Sequence, residues 1–184
     1  MQFLKSLSYE GDINISTYQN LDNIKSSEWN NCVDEGNIFL NYQFLKLLEN
    51  SKSIGDNTGW SPLYVLIKKK NRIISCIPSY LKTHSQGEYI FDHSWADAFS
   101  RIGGKYYPKL LVACPFTPVT GSRFLMLPEA NNDNTRDLIL DCLKKITNKL
   151  NLSSLHINFC TEKEINYLKK NNLLIRYGEQ FHFQ

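Results

Sequence analysis

Residues 78–123 read PSYLKTHSQGEYIFDHSWADAFSRIGGKYYPKLLVACPFTPVTGSR. Apolar runs bound this stretch, residues 73–80 on one side and 109–116 on the other, and both read as strands. Between or beside them fall His84, Glu88, Tyr89, Asp92, His93, Trp95, Asp97, Tyr106, Tyr107, Lys109 and Arg123. A soluble protein rarely crowds so many ionisable and aromatic side chains between two apolar strands unless a site needs them.

Working outward, the pattern alternates between strand and helix. Residues 13–18 suit a first strand, and Ser26 or Ser27 suits the cap of a short helix through Trp29 and Val33. Asn41 precedes a second helix in which Phe44, Leu45 and Leu48 share a face. Residues 63–67 and 73–80 form a hairpin around Lys68, Lys69, Lys70 and Arg72, a basic run that reads as a solvated tip. Residues 88–93 and 109–116 read as further strands. Asn134 or Thr135 opens a long amphipathic helix with Leu138, Ile139, Cys142, Leu143 and Ile146 inward and Lys144, Lys145 and Lys149 near its end. Residues 154–159 read as a strand, Thr161 with Glu164 as a capping box for a last helix, and residues 180–184 as a closing strand. The expected fold class is α/β (α+β), a mixed central sheet flanked by helices, in a single domain over residues 1–184.

Composition narrows the function. At 184 residues the chain can bury one real core, and a net charge of +3 is too small to argue for nucleic acid, so no DNA partner is expected. No apolar run is long enough to span a bilayer, and the first residues, MQFLKSLSYEGD, are too brief for a secretory signal. Cys32, Cys76, Cys114, Cys142 and Cys160 are odd in number and widely spaced, which suggests neither a disulfide framework nor a zinc ribbon and suits a reducing cytoplasm.

Strand geometry and side-chain chemistry give the site expectations. If residues 88–93 are extended, Glu88 and Asp92 share one face about 13 Å apart, too far to bind one proton or one metal ion, and no metal site is expected. Amide formation needs a base to take a proton from the attacking amine, and His93 and His84 are the candidates, with Asp92 or Asp97 as orienting partner. Substrate contacts are expected from Glu88, Tyr89, Trp95, Tyr107, Lys109, Thr117 and Arg123, with Tyr107 and Lys109 suited to an anion or carbonyl and Arg123 to a bidentate grip. Each also has a bland reading: ring packing for the tyrosines, a loop hydrogen bond for His84, a turn cap for Asp92, a pocket-lining or packing role for Thr117. Cys114, in an apolar run ending at Pro115, suits a buried thiol better than a nucleophile.

The strings YLKTHSQGEYIFDHSWADAF, YYPKL and PFTPVTGSR, with FLNYQFLKLLENSKSIG, TGW, LSSLHINF and QFHFQ, resemble a bacterial family of N-acyltransferases, FemAB-like and labelled peptidoglycan biosynthesis/recognition, within the GNAT-like acyltransferase superfamily. The resemblance runs from about Trp29 to the last residue and implies a GNAT-like fold, which the order of elements also fits. It implies amide-forming transfer of an acyl or aminoacyl group to an amine, with a peptidoglycan precursor as acceptor and an aminoacyl-tRNA or an acyl-CoA as donor. Family members continue past QFHFQ, so the chain is expected to be the N-terminal half of a longer two-domain enzyme on which a C-terminal half packs, with its activity alone left open. Two alternatives stand beside it: an acetyl-CoA-dependent GNAT N-acetyltransferase, and a non-catalytic half that recognises a sugar-peptide or a partner domain. Against a CoA site, the segment LMLPEANNDN ahead of the long helix has no glycine and carries Glu129 and Asp133, which repel a pyrophosphate.

Overall fold

The computed structural model describes residues 7–9 and 12–179. The expected strand at 180–184 lies outside the described residues. Two sheets form the centre. The first is antiparallel, in the order β1 (Leu7–Tyr9), β2 (Ile13–Tyr18), β4 (Tyr64–Lys69), β5 (Arg72–Ile77), β8 (Leu125–Met126). The second runs β3 (Trp60–Pro62), β6 (Ser79–Lys82), β7 (Lys109–Val112), β9 (Leu155–Ile157), with β7 and β9 parallel.

One ribbon joins the sheets. β3 and β4 are the same strand interrupted at Leu63, and β5 and β6 the same strand interrupted at Pro78, which has no N–H to give a ladder. Leu63 N–H still donates to Ser79 O (2.8 Å), and Ala113 N–H to Pro78 O (3.2 Å), so the chain changes sheets without losing its pairing. At the tip Lys70 and Asn71 are both left-handed (φ 48° and 65°), as a two-residue hairpin turn requires, and Lys69, Lys70 and Arg72 are exposed.

Helices cover both faces. β4 is buried on both sides: Tyr64 and Leu66 pack with Trp29 of α1 (Ser26–Asn30) and Leu45 of α2 (Tyr42–Asn50), while Val65 and Ile67 pack with Ile139, Leu143 and Ile146 of α4 (Asp133–Lys149) and Leu168 of α5 (Glu162–Lys170). The mixed α+β architecture expected from the pattern is present. α4 carries the chain from the first sheet to β9, the crossover that a parallel pair needs.

The local details differ in places. Asn41 caps α2 through Phe44 N–H, and Thr161 with Glu164 forms the expected capping box on α5. α4 starts earlier than expected, capped by Asn132, which accepts from Thr135 N–H, and Leu138 is only half-buried while Cys142 and Ile146 are buried. Neither Ser26 nor Ser27 caps α1; the cap position is Lys25, with no side-chain bond. Residues 88–93 are not a strand. Gly87, Tyr89 and Phe91 take left-handed backbone (φ 76°, 58° and 49°), which curls the chain, and a helix α3 (His93–Arg101) begins at once.

Candidate functional site

Register places the first two site residues. In the β6–β7 pair Lys82 stands directly opposite Lys109, and in the β3–β6 pair Trp60 stands opposite Lys82. Like charges so placed repel, and both lysines are fully buried, so something nearby must compensate them. Compensation comes from the curled segment between the two strands, called the strap below (residues 83–105).

Lys109 Nζ lies 2.8 Å from Asp92 Oδ2, 3.0 Å from Glu88 Oε2 and 2.9 Å from Ser85 Oγ. Asp92 also accepts from Tyr106 O–H (2.7 Å), and Ser85 Oγ shares a hydrogen with Tyr107 Oη (2.7 Å). Glu88 and Asp92, expected to lie too far apart to share one partner, therefore meet at one ammonium, because the left-handed residues fold the segment back. The rings of Tyr106 and Tyr107 sit edge to face (5.1 Å) beside Lys109, and His156 of β9 touches Tyr106 edge-on (6.0 Å).

Lys82 is held differently. Its Nζ lies 3.9 Å from the centre of the Trp60 ring and donates to Gln86 O at 3.3 Å, leaving an ammonium short of acceptors. Burial pushes its pKa down to about 7, with Glu88 opposing and Lys109 adding to the fall. Burial pushes the Glu88 carboxyl up, against the pull of Lys109, and neither of its oxygens receives a directed hydrogen bond. Burial would raise Asp92 too, but hydrogen bonds from Lys109, Ser85 and Tyr106 outweigh it and hold the carboxyl at about 2. His156 is pushed down to about 4 by burial and by Lys109. Burial and Asp92 raise the Tyr106 phenol. The cluster therefore sets two carboxylates, Asp92 with directed hydrogen bonds and Glu88 without, against one lysine, Lys109, and leaves Lys82 with no carboxylate in ion-pair contact, where burial drives it and Glu88 toward neutrality.

The other expected residues lie as follows. His84 sits at the start of the strap with both ring nitrogens engaged by backbone, Nε2 with Thr58 O (3.1 Å) and Nδ1 with Gln86 N–H (3.2 Å). Tyr89, His93, Trp95 and Asp97 are exposed on the strap and α3. Thr117 donates to Pro115 O (3.0 Å). Arg123 is buried, its guanidinium donating to the carbonyls of Asn158, Gly121 and Val119, so its donors are committed to backbone. All five cysteines are buried. Lys82, Ser85 and His156 were absent from the sequence expectations; only the strand register, which sets Lys82 against Lys109, signals them.

The two clearest surface depressions are elsewhere, one lined by Asp133, Glu162, Lys163, Asn166, Tyr167 and Lys170, the other by residues of α1 and α2. The charged cluster is closed. Near the start of α4, three amides are already used by the chain: Asn131 N–H on Pro128 O, Asn132 N–H on Ala130 O and Thr135 N–H on Asn132 Oδ1. No helix among the described residues is long and apolar enough to cross a membrane.

No curated protein and no solved structure matches the chain. A family described as peptidoglycan biosynthesis/recognition matches residues 20–184, and with most of its length so covered the chain belongs to the FemAB-like family.

Proposed function

We propose that the protein takes part in amide-forming acyl or aminoacyl transfer to an amine of a peptidoglycan precursor, with the Lys82–Glu88–Lys109–Asp92 cluster as its chemical centre. The observation that carries this reading is the buried Lys82, held against the Trp60 ring with a single carbonyl acceptor, beside a Lys109 held by Asp92, Glu88 and Ser85. In the reaction, the acceptor nitrogen attacks the activated carbonyl carbon and forms the new C–N bond. The C–O bond of an ester donor, or the C–S bond of a thioester donor, breaks. A lysine near neutrality is suited to take the proton released from the attacking amine and to return it to the departing oxygen or sulfur. Lys109, held in place by Asp92, Glu88 and Ser85, is suited to polarise the carbonyl.

The glycine-free entry to α4, with Glu129 and Asp133 at the helix start, favours an aminoacyl ester such as aminoacyl-tRNA over acyl-CoA as donor. A competing assignment makes His93 the base, favoured by its exposure at the first turn of α3. Both are tested by incubating the protein with an amine-bearing soluble peptidoglycan precursor and either donor, and following acceptor mass. A mass gain equal to the acyl group is expected with wild type and His93→Ala, and none with Lys82→Met. Gain with Lys82→Met but not with His93→Ala moves the base to His93; no gain with either donor overturns the transfer reading.

A further inference from the structure

The two buried lysines stand on rigid paired strands, whereas both carboxylates that compensate them stand on the strap. The carboxylates differ in fit. Asp92 receives hydrogen bonds from Lys109 and Tyr106, but Glu88, whose side chain is 0% exposed, has neither oxygen in a directed hydrogen bond although Oε2 is 3.0 Å from Lys109 Nζ. Glu88 fills the space beside Lys109 without being matched by it. We propose that this space is an anion-binding site for a carboxylate or phosphate group, and that the strap is a lid whose Glu88 holds the place of that anion until a ligand displaces it.

The attachment of the strap supports this. α3 has no buried residue, and left-handed backbone at Gly87, Tyr89 and Phe91 on one side and at Gly103 on the other brackets it with points where the chain can turn. What ties the segment down is mostly polar: Asp92 on Lys109 and Tyr106, Gln86 O on Trp60 Nε1–H (3.0 Å), and the His84 ring on Thr58 O. Phe99 adds one ring contact with Tyr106 (6.4 Å). Few apolar contacts hold it, whereas the strands beneath are fixed by ladders and a packed core. Lifting the strap would expose Lys82 and Lys109 over a floor made by the Trp60 ring, with Tyr107 at the edge, and the arriving anion would supply the charge that Glu88 withdraws.

The inference concerns binding alone and is tested with no donor or acceptor present, so it fails or stands apart from the transfer reading. Calorimetric titration at constant ionic strength would compare inorganic phosphate with acetate on wild type, Glu88→Gln and Lys82→Met. At least tenfold tighter binding of one anion to Glu88→Gln than to wild type is expected, and loss of that binding in Lys82→Met. Response to phosphate alone identifies a phosphate ligand, response to acetate alone a carboxylate, and response to both a site for either. Equal affinity of Glu88→Gln and wild type, or binding that survives Lys82→Met, overturns the site. Should Glu88→Gln not fold, amide hydrogen exchange on wild type decides the lid: residues 87–103 must exchange at least tenfold faster than β6 and β7, and exchange as slow as those strands overturns it.

Discussion

Two buried charged regions in this chain are built on opposite plans. Where β8 meets α5, Glu164 Oε1 accepts from the backbone N–H of Arg123 (2.7 Å) and Phe124 (2.8 Å), and Oε2 from Thr161 N–H and Oγ1–H (both 3.1 Å). Arg123 spends its own donors on four carbonyls. Every oxygen there has a fixed partner, and most partners are backbone. At the β6–β7 end the partners are side chains, Glu88 accepts no directed bond, and Lys82 rests on a ring face. A saturated arrangement resists change and suits anchoring a turn. An unsaturated one keeps donors and acceptors in reserve, which a structural role has no use for and a ligand site requires.

The comparison can be broken first at its strong side. Glu164→Ala strips three amides, two of them buried, of their acceptor and is expected to cost about 3–5 kcal/mol in denaturant unfolding. A loss under about 1 kcal/mol would remove the contrast. Asp92→Ala is expected to cost less, about 2 kcal/mol, because Glu88 remains beside Lys109. The sharpest case is Lys82→Met: since burial already disfavours the charge, stability is expected within about 1 kcal/mol of wild type or above it. Acyl transfer should nonetheless disappear.

Proton linkage offers a fourth measurement. Lys82 falls to about 7 in the native protein from its ordinary 10.5, so between those values the unfolded chain holds a proton that the native chain lacks. Stability should therefore gain a component that rises with pH from about 7 to 10.5, absent in Lys82→Met. His156, lowered to about 4 from 6.5, likewise should lose stability as pH falls across that window. Asp92 acts lower still, its contribution fading from 3.8 down through about 2. The smallest effect is expected at Trp95, exposed on α3, where Trp95→Ala should shift stability by no more than about 0.5 kcal/mol.

Much of the fold is visible in local pattern. The 3.6-residue spacing of Ile139, Cys142, Leu143 and Ile146 and the Thr161–Glu164 box are contiguous signals, and the structure follows them. Alternation misled at residues 88–93, because the backbone sign of Tyr89 and Phe91 is not written in side chains that suit strands so well. The candidate site was half legible. Glu88, Asp92, Tyr107 and Lys109 stood out by chemistry, but Lys82 looks like the polar end of an apolar run until β6 is registered against β7. His156 depends on a parallel pairing made across the whole of α4, which no short window contains.

The ribbon that crosses from one sheet to the other sets an order of assembly. Residues 60–82 pair locally across a two-residue turn, so this element can form before the rest of the chain has collapsed. β7 joins it only when residues 83–108 close as a loop, and β9 joins β7 only once α4 has docked. Lys82 therefore waits in water, on a preformed strand, while the anions that will bury it arrive late. Its desolvation falls near the end of the folding route, where substitutions mainly alter how fast the native protein opens and hardly how fast it forms.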